Sequence, residues 1–454
     1  MYSKLLFELH PTLVQQRFLS TDVGQIYQAI PWEQLVCLVP APAHALSGLG
    51  CKPWFTVQGG IALMLLKHYL QLSDAKLIER INTDWSLQYF CGIQLKAAEI
   101  IRDKDLPSWW RVYLGTYLDI DKWQKALAVK WKPLMEQTQT SSQDATCYES
   151  RIAHPTDVKL LWQACNETHQ MMQTILGRHH KRKSRANHSL RQKEFLSYQK
   201  SKKKTRRAEK KLRGKLLKYL SRLIEAHYEF CKKYDIILSH SKSERLVTIG
   251  KVCEQQQQKL LGNQIENRIV SISKAYIRPI IRGKEVKAVE FGAKVNKMQV
   301  DGISFIEHLS FDAFNEGTRL EHGIRLHEDL FGKCGQFSGD AIYATNKNRS
   351  YLKKKGIVHN FTVKGRQKAA HIQQNEQMTA LLNKERGTKL EGSFGNEKNH
   401  YNLHKIKARN KVTETCWIFF GIHTANAVNI GKRIASQQSL GGIPPPQREL
   451  RLAA

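Results

Sequence analysis

The chain has 454 residues and carries 72 Lys and Arg against 40 Asp and Glu, which gives a formal net charge of +32. With 41% hydrophobic residues it is expected to form two or three globular domains, and this composition excludes a disordered tail. So large a positive excess predicts a polyanion as partner. Nucleic acid fits better than a membrane surface, because no segment approaches the roughly 20 apolar residues that span a bilayer.

The cysteine pattern and the N-terminus indicate the compartment. Nine cysteines are scattered along the chain without a CxxC pair, which argues against a zinc ribbon and against a disulfide framework. The first residues, MYSKLLFELHPTLVQQRF, lack a sustained apolar core followed by a small-residue cleavage site, so a signal peptide is not expected. We therefore expect a protein of the reducing cytoplasm.

Residues 1–135 are predicted to form a helical N-terminal domain rich in Leu and Trp. Two helical patterns within residues 57–93 are separated by Leu72-Ser73-Asp74, where Ser73 is a suitable N-cap. An apolar stripe follows at helical spacing: Leu77, Ile78 and Ile81. Two short helices with a tight break are typical of a helix-turn-helix that reads the major groove. A plain helical packing module fits the spacing equally well.

Residues 136–177 are predicted to contain a first core strand and a helix. The stretch EQTQTSSQ (136–143) has the composition of a polar linker, and Asp144 opens a strand-like run that ends at His154-Pro155. Thr156 is positioned to cap the next helix. The apolar residues of that helix share one face: Val158, Leu161, Trp162 and Cys165.

Residues 178–265 contain the most basic segment and are predicted to form a helical insertion. Apolar residues at helical intervals, together with a second run at 242–263, predict an antiparallel helical hairpin. A run of charge is usually a solvated face, but one this one-sided repels itself unless phosphates neutralise it. We therefore expect phosphate contacts from Lys202, Lys203, Lys204, Arg206, Arg207, Lys210 and Lys211.

From about residue 267 the apolar period shifts towards two. Ile269, Ser271 and Ser273 alternate with Val270 and Ile272, which predicts a strand. Arg282-Gly283-Lys284 marks a turn, and 286–295 is predicted to be the second strand.

A helix around 312–331, a strand at 335–343, a helix at 346–355, a short strand at 356–363 and terminal helices follow. For residues 266–435 this order predicts the rest of a mixed α/β core that an all-helical segment interrupts. The end of the chain, 436–454, is predicted to be a flexible tail.

Two aspartates are candidates for the chemistry of phosphodiester transfer. Such transfer can use two Mg²⁺ ions, which carboxylates at the ends of adjacent strands would hold. Asp144 is followed by small residues that let an ion approach. Asp340 follows Gly339, which is expected to leave room for a metal or a phosphate. Asp340 also lies at the carboxyl edge of its strand, where α/β sheets bind ligands. Taken alone, either residue is more often a turn or capping aspartate.

Three glutamates near the C-terminus, Glu385, Glu391 and Glu397, offer a third carboxylate. In a helix, residues six apart are rotated by about 240°, so the three cannot share one face. Glu391 and Lys398 are seven apart and do share a face, which pairs an acid for metal with a lysine for phosphate. Glu391 is therefore favoured, and Glu397 is the alternative.

Five blocks of the sequence also resemble a known family. They are DATCYESRIAHPTDVKLLW, RPIIRGKEVKAVEFGAKV, FNEGTRLEHGI, GDAIYATNKNRSYLKKKGI and LEGSFGNEKNHYNLHKIKAR. Together they resemble a bacterial insertion-sequence transposase of the DDE type, in the insertion-sequence-five-like superfamily. The segment MLLKHYLQLSDAKLIERINTDWSLQYFCGI resembles the N-terminal helical domain of those enzymes, so the resemblance runs from about residue 55 to 435.

The resemblance implies a role for individual residues. Asp144 matches the first acid, Asp340 the second, with Tyr343 in an Asp-x-x-Tyr context, and Glu391 the third. Lys398 matches the lysine that follows the glutamate. The related pattern places an arginine four residues before the glutamate, where this chain has Gly387, with Arg386 one position earlier. Lys398 and Arg386 are expected to hold DNA phosphate.

The implied fold is α/β: an RNase H-like mixed-sheet catalytic core with a helical N-terminal DNA-binding domain and a long helical insertion after the first core strand. The acids are expected on the first strand, the fourth strand and a late helix. Similar enzymes use Mg²⁺, with Mn²⁺ as substitute, bind terminal inverted repeats in double-stranded DNA, act as homodimers or higher oligomers, and cut and rejoin strands. Such a protein would associate with the bacterial nucleoid in the cytoplasm.

Two alternatives stay open. A metal-dependent nuclease on the same core would cleave without joining, and a relic of a transposase would bind DNA without chemistry. The chain has no GxxxxGK[ST] loop for an ATP-driven helicase and no nucleophile-elbow motif for a Ser/His/Asp hydrolase.

Overall fold

A computed structural model describes residues 11–43, 53–179, 187–281, 288–363, 365 and 369–439. The predicted turn at Arg282-Gly283-Lys284 lies outside the described residues, and so does the predicted tail after residue 439. Two compact units make up the chain. Unit 1 contains Met1–Ser150, Ala293–Ser310 and Phe314–Ala454, and unit 2 contains Arg151–Gly292 and Phe311–Ala313.

The N-terminal part of unit 1 is helical, as predicted. Its helices are α1 (Pro11–Leu19), α2 (Asp22–Ala29), α3 (Trp32–Cys37), α4 (Val57–Tyr69), α5 (Asp74–Thr83), α6 (Trp85–Phe90), α7 (Leu106–Tyr117) and α8 (Ile120–Trp131), followed by a 3₁₀ turn at Lys132–Leu134. The break between α4 and α5 falls where the sequence predicts it. The side chain of Ser73 accepts a hydrogen bond from the N–H of Lys76, which confirms it as the N-cap of α5.

Helix α4 is buried along nearly its whole length, because neighbouring helices cover it on several sides. A Cβ on Gly60 would lie 2.2 Å from the Trp110 ring of α7, so this close approach requires glycine. Helix α5 buries its predicted stripe and exposes Lys76, Glu79 and Arg80, which are of mixed sign. That α5 reads a DNA groove remains a prediction.

The sheet of unit 1 is mixed, as predicted. Its strands are β1 (Thr140–Ser150), β3 (Val289–Val300, in unit 1 from Ala293), β4 (Ile303–Ser310), β5 (Gln336–Gly339), β6 (Val358–His359) and β7 (Lys405–Ile406). The strand order is β4-β3-β1-β5-β6, and β7 also pairs with β1. Strand β1 runs parallel to β5 and β7, β5 runs parallel to β6, and β3 and β4 are antiparallel.

Strand β1 begins earlier than predicted, which corrects the linker at 136–143. Residues 140–143 are buried and pair with β5, so Asp144 lies inside the strand and does not open it. The polar sequence TSSQ (140–143) has the composition of a linker, but all four residues are buried in the sheet. Backbone pairing to β5 engages the main chain of this segment, and the Oγ1 of Thr140 donates to Gln336 Oε1 at 3.0 Å. Among the described residues, the buried Ser141 hydroxyl and the Gln143 side-chain amide have no hydrogen-bond partner.

Strand β4 was not predicted from the sequence. Strands β3 and β4 form a hairpin in which Val300 pairs with Ile303 across Asp301-Gly302. Both turn residues have positive φ, 48° for Asp301 and 77° for Gly302, as a two-residue hairpin turn requires. The Asp-Gly pair between apolar runs was a sequence signal for this strand.

The remaining helices of unit 1 surround the sheet. They are α13 (Leu320–Phe331), α14 (Asn346–Lys355), α15 (Ala369–Glu385), α16 (Gly392–His400) and α17 (Lys411–Ser439), with 3₁₀ turns at Glu316–Arg319 and Ala341–Tyr343 and a π-helix at Arg386–Glu391. Helix α17 packs against α2, α4 and α7 as well as β4. The N-terminal helices consequently share one unit with the sheet, whereas the sequence predicts a separate domain at 1–135.

Unit 2 is built from four helices, α9 (Asp157–Arg178), α10 (His188–Lys200), α11 (Arg206–Lys233) and α12 (His240–Leu260), and the short strand β2 (Pro279–Ile281). The Oγ1 of Thr156 accepts a hydrogen bond from the N–H of Lys159, which confirms the predicted cap of α9. Helices α9, α11 and α12 share one apolar core. The structure thus groups α9 with the basic segment, whereas the sequence groups it with the first strand.

The predicted strand at 269–273 is wrong. Ile269 and Ile272 are buried in the core of unit 2, and the hydroxyl of Ser271 accepts from the N–H of Lys274 at 3.3 Å. This local bond turns the chain, so extended structure begins only at β2, which pairs with the first residues of β3.

Within the described part of the chain, no helix has both the length and the apolar character needed to cross a membrane.

Candidate functional site

Strand pairing brings two of the predicted acids side by side. In the parallel register of β1 and β5, Gln143 pairs with Gly339. Asp144 is the residue after Gln143, and Asp340 is the residue after Gly339. Neighbouring strands lie about 4.8 Å apart, so the two aspartates lie close together where β5 ends. Asp144 Oδ1 accepts the N–H of Ala145 at 2.8 Å, and Asp340 Oδ1 accepts the N–H of Ala341 at 2.7 Å. One oxygen of each carboxylate is thereby oriented by the backbone.

Packing requires a glycine at position 339, and its role of leaving room for a metal or a phosphate stays a prediction. A Cβ at this position would lie 2.8 Å from the Phe337 ring and 3.1 Å from the Tyr343 ring. The absent side chain therefore lets two aromatic rings close over the end of β5.

Tyr343 anchors the 3₁₀ turn that follows Asp340. Its ring is fully buried, and its hydroxyl donates to Asn296 Oδ1 on β3 at 2.6 Å. Asn296 in turn donates to Glu307 on β4 at 2.8 Å. The residue three positions after Asp340 thus connects the turn to two other strands.

The third predicted acid lies at the end of a π-helix that joins α15 to α16. In a π-helix the backbone bonds run from residue i to i+5, so residues five apart come onto one side. Arg386 and Glu391 are five apart, and the Arg386 Nη1 lies 2.9 Å from Glu391 Oε1. The same Nη1 lies 3.5 Å from Asp144 Oδ2. The π-helix therefore compensates for the arginine that stands one position early in the sequence.

Glu397, the alternative third acid, has different surroundings. Its side chain is only 2% exposed, and one oxygen accepts from the buried Lys297 Nζ at 2.6 Å. The other oxygen accepts from the Tyr148 hydroxyl of β1. Both carboxylate oxygens are engaged by buried protein groups, whereas the side chain of Glu391 is 52% exposed.

Lys398 lies next to Glu397 on α16 and reaches the same strand as Asp144. Its Nζ donates to Thr146 Oγ1 at 2.9 Å, two residues after Asp144. The ammonium group also lies 5.8 Å from the centre of the Tyr148 ring. Lys398 consequently brings a positive charge to strand β1, two residues after Asp144.

Asp144 titrates at a raised pKa. Its pKa is raised to about 6, mainly by burial and in addition by the negative charges of Glu316 and Asp340, while the N–H of Ala145 and the Arg386 guanidinium act to lower it. A carboxyl group held in a buried, acidic setting gains more from an added cation than an exposed carboxyl group does.

Glu316 is an acid near Asp144 that was not among the predicted site residues. Its carboxylate pairs with Lys294 Nζ at 2.7 Å. A Cβ on Gly317 would lie 2.4 Å from the Ile342 carbonyl oxygen, so the Glu316 turn packs directly on the turn after Asp340. The sequence carries no distinctive signal for Glu316 as a site residue. It follows Asn315, which caps the turn, and acidic residues are common at the start of a helical turn.

Hard oxygen ligands of the kind that Mg²⁺ prefers are therefore present. Within the described ranges, however, no three Asp, Glu, His or Cys side chains already form a group that could hold a metal ion. The Arg386 guanidinium lies between Asp144 and Glu391, and it links the third acid to the first.

The predicted phosphate-binding residues of the basic segment belong to unit 2. All seven, Lys202, Lys203, Lys204, Arg206, Arg207, Lys210 and Lys211, are exposed. The first three precede α11, which Thr205 caps, and the others lie on its first two turns. The buried side of α11 is apolar, with Leu212, Leu216 and Leu220 in the core of unit 2. The positive charge is thus presented to solvent from a packed helix.

Comparison with known proteins identifies the N-terminal region. Residues 15–111 match the family model described as Transposase domain (DUF772), which spans most of the N-terminal helices. No curated protein and no solved structure matches the chain. The chain carries a transposase domain, and the resemblance to an insertion-sequence transposase is confirmed by this match. A transposase is a DNA-cleaving enzyme, so DNA is the partner that the match implies.

Proposed function

We propose that the chain is a DDE transposase that binds the terminal inverted repeats of an insertion sequence and catalyses DNA strand cleavage and strand transfer. The observation that carries the proposal is the parallel register of β1 and β5, which makes Asp144 and Asp340 neighbours although they are far apart in sequence. Glu391 is linked to Asp144 through Arg386, so acids from three separate elements converge.

The strand layout supports an RNase H-like core for unit 1. Among the strands of this unit, Asp144 lies on the first, β1, and Asp340 directly follows the fourth, β5. Glu391 lies in the late helical segment before α16. The long helical segment between β1 and β3 belongs to unit 2 and fits the insertion after the first core strand.

Asp144, Asp340 and Glu391 are the residues proposed to hold two Mg²⁺ ions, with Mn²⁺ as substitute. When bound, such a pair activates a nucleophilic oxygen and stabilises the leaving oxygen of a phosphodiester. The N–H groups of Ala145 and Ala341 orient one oxygen of each aspartate. Lys398, whose Nζ donates to Thr146 two residues after Asp144, is proposed to contact a DNA phosphate.

DNA binding is proposed to use two parts of the chain. The match at residues 15–111 supports contact with the element's ends by the N-terminal helices. The exposed Lys and Arg residues at 202–211 support contact with phosphates regardless of sequence. Assembly of a homodimer or higher oligomer on DNA is part of the proposal, by analogy with similar enzymes.

The test compares wild type with Asp340→Asn in strand cleavage and joining on DNA that carries the element's end, with Mg²⁺. Asp329→Asn, an exposed aspartate of α13, is the matched control. We expect cleavage and joining by wild type and the control, and loss of both in Asp340→Asn with DNA binding retained. Losses of several hundredfold or more are typical when a group that stabilises the transition state is removed.

Other outcomes select the alternatives. Cleavage without joining by wild type would favour a metal-dependent nuclease. DNA binding with no metal-dependent chemistry in any of the three proteins would favour a transposase relic that only binds DNA. Equal activity of wild type and Asp340→Asn would contradict the role of the acids.

A further inference from the structure

Arg386 bridges two of the carboxylates to which the proposed function assigns metal. Its Nη1 lies 2.9 Å from Glu391 Oε1 and 3.5 Å from Asp144 Oδ2, and the guanidinium side chain is 19% exposed. Its Nε is buried and, within the described part of the chain, has no hydrogen-bond partner. The side chain therefore reaches into the site and is held there mainly by the two carboxylates.

The guanidinium and a divalent ion would use the same oxygens. Mg²⁺ and similar small ions bind carboxylate oxygens at about 2.0–2.1 Å. A guanidinium that remained at its present distances would leave two cations sharing these oxygens within a few ångströms, where their charges repel. The ion and the guanidinium are therefore expected to compete for the two acids.

We propose that Arg386 is a displaceable counter-ion of the metal site: it neutralises Asp144 and Glu391 in the protein alone and is released when a divalent ion binds. This inference rests on the proposed function, because it concerns the same acids. The π-helix makes it possible, since only the i to i+5 arrangement turns Arg386 onto Glu391. Once released, the guanidinium can present its donor fork to a phosphate of bound DNA.

The test measures Mn²⁺ binding to the full chain without DNA, by electron paramagnetic resonance of the free ion. Arg386→Gln removes the competing charge, and we expect the Kd for Mn²⁺ to fall about fivefold or more. Arg325→Gln is the control, because Arg325 pairs with Glu321 on the exposed side of α13, and its Kd should match wild type. Arg386→Met, which keeps the apolar stem, should give the same decrease and guards against a local folding defect.

An unchanged or raised Kd in both Arg386 variants would overturn the counter-ion proposal. Asp340→Asn separates this failure from failure of the metal site itself. If Asp340→Asn weakens Mn²⁺ binding while the Arg386 variants equal wild type, only the counter-ion proposal is overturned. If Mn²⁺ does not bind wild type, or Asp340→Asn binds it as well as wild type does, the proposed metal site and the counter-ion role are both wrong.

Discussion

At the scale of single residues, two glutamates six positions apart have opposite surroundings. Glu391 is half exposed and contacts Arg386, while Glu397 is buried between Lys297 and Tyr148. A buried ion pair is costly to break, because the remaining charge has no water to solvate it. Burial lowers the pKa of Lys297, and the adjacent Glu397 carboxylate opposes that shift. Glu397 is thus expected to contribute to stability, and Glu391 to chemistry.

We predict that Glu397→Gln lowers the free energy of unfolding by about 3–5 kcal/mol, because Lys297 then remains buried without its counter-charge. Urea unfolding measures this loss. Glu391→Gln, the matched change at a half-exposed site, should cost less than about 0.5 kcal/mol and should abolish strand cleavage.

The double variant Lys297→Met with Glu397→Gln should recover part of the lost stability, because it removes both charges together. Similar unfolding energies for Glu397→Gln and Glu391→Gln would contradict this assignment of the two acids.

At the scale of elements, the π-helix behaves as one extra residue inside a continuous helical segment. Residues 369–400 are helical throughout, with the i to i+5 pattern confined to Arg386–Glu391. Such a turn admits one more residue than an α-helical turn and leaves the flanking helices in register. Gly387 lies within it, and nothing is within 4 Å of the position of its missing Cβ.

We predict that deletion of Gly387 changes the free energy of unfolding by no more than about 1 kcal/mol, because the π-helix can relax to an α-helix. Arg386 would then lie four residues before the glutamate and still face it. Urea unfolding and the cleavage assay are the measurements.

Deletion of Gly395 in α16 is the matched control, since this glycine also has open space around it. Here no π-helix can absorb the change. Glu397 and Lys398 would rotate by about 100° relative to the preceding helix, which should break the pair with Lys297. If the two deletions changed the free energy of unfolding and the cleavage activity equally, the interpretation of the π-helix as one inserted residue would be wrong.

At the scale of the whole molecule, the charge of +32 is concentrated in part on unit 2. The exposed Lys and Arg residues at the start of α11 are backed by an apolar core, so their position does not depend on bound DNA. Phosphate contacts of this kind release counterions and make binding dependent on salt but not on sequence.

We predict that Lys210→Gln with Lys211→Gln weakens DNA binding equally on the element's end and on unrelated duplexes. The slope of log K against log salt should flatten by about one for each phosphate that the variant no longer neutralises. Titrations at several salt concentrations measure both effects.

Lys232→Gln with Lys233→Gln, at the other end of α11, makes the same charge change at two exposed positions. This control should leave the salt slope close to that of wild type. A change of sequence preference without a change of slope in the Lys210 and Lys211 variant would show that these residues read bases.

Local features were predictable because the residues that determine them are adjacent in sequence. The caps at Ser73 and Thr156 each bond an N–H three residues away, and the apolar stripe of α5 follows helical spacing. The prediction of a strand at 269–273 was wrong for a local reason as well, because the hydroxyl of Ser271 accepts from the N–H of Lys274 and the chain turns there. The mixed α/β character followed from the order of the elements.

By itself, the sequence predicted a resemblance to insertion-sequence transposases, the basic helical segment, and Asp144, Asp340 and Glu391 as candidates for one site. Only the tertiary structure decided that Asp144 and Asp340 are strand neighbours, that Gly339 serves packing, and that Glu397 is buried against Lys297. It also decided that a π-helix turns Arg386 onto Glu391. These contacts depend on whether a helical turn forms i to i+4 or i to i+5 hydrogen bonds and on which distant strands pair. Helical or alternating periodicity in a sequence contains no information about either.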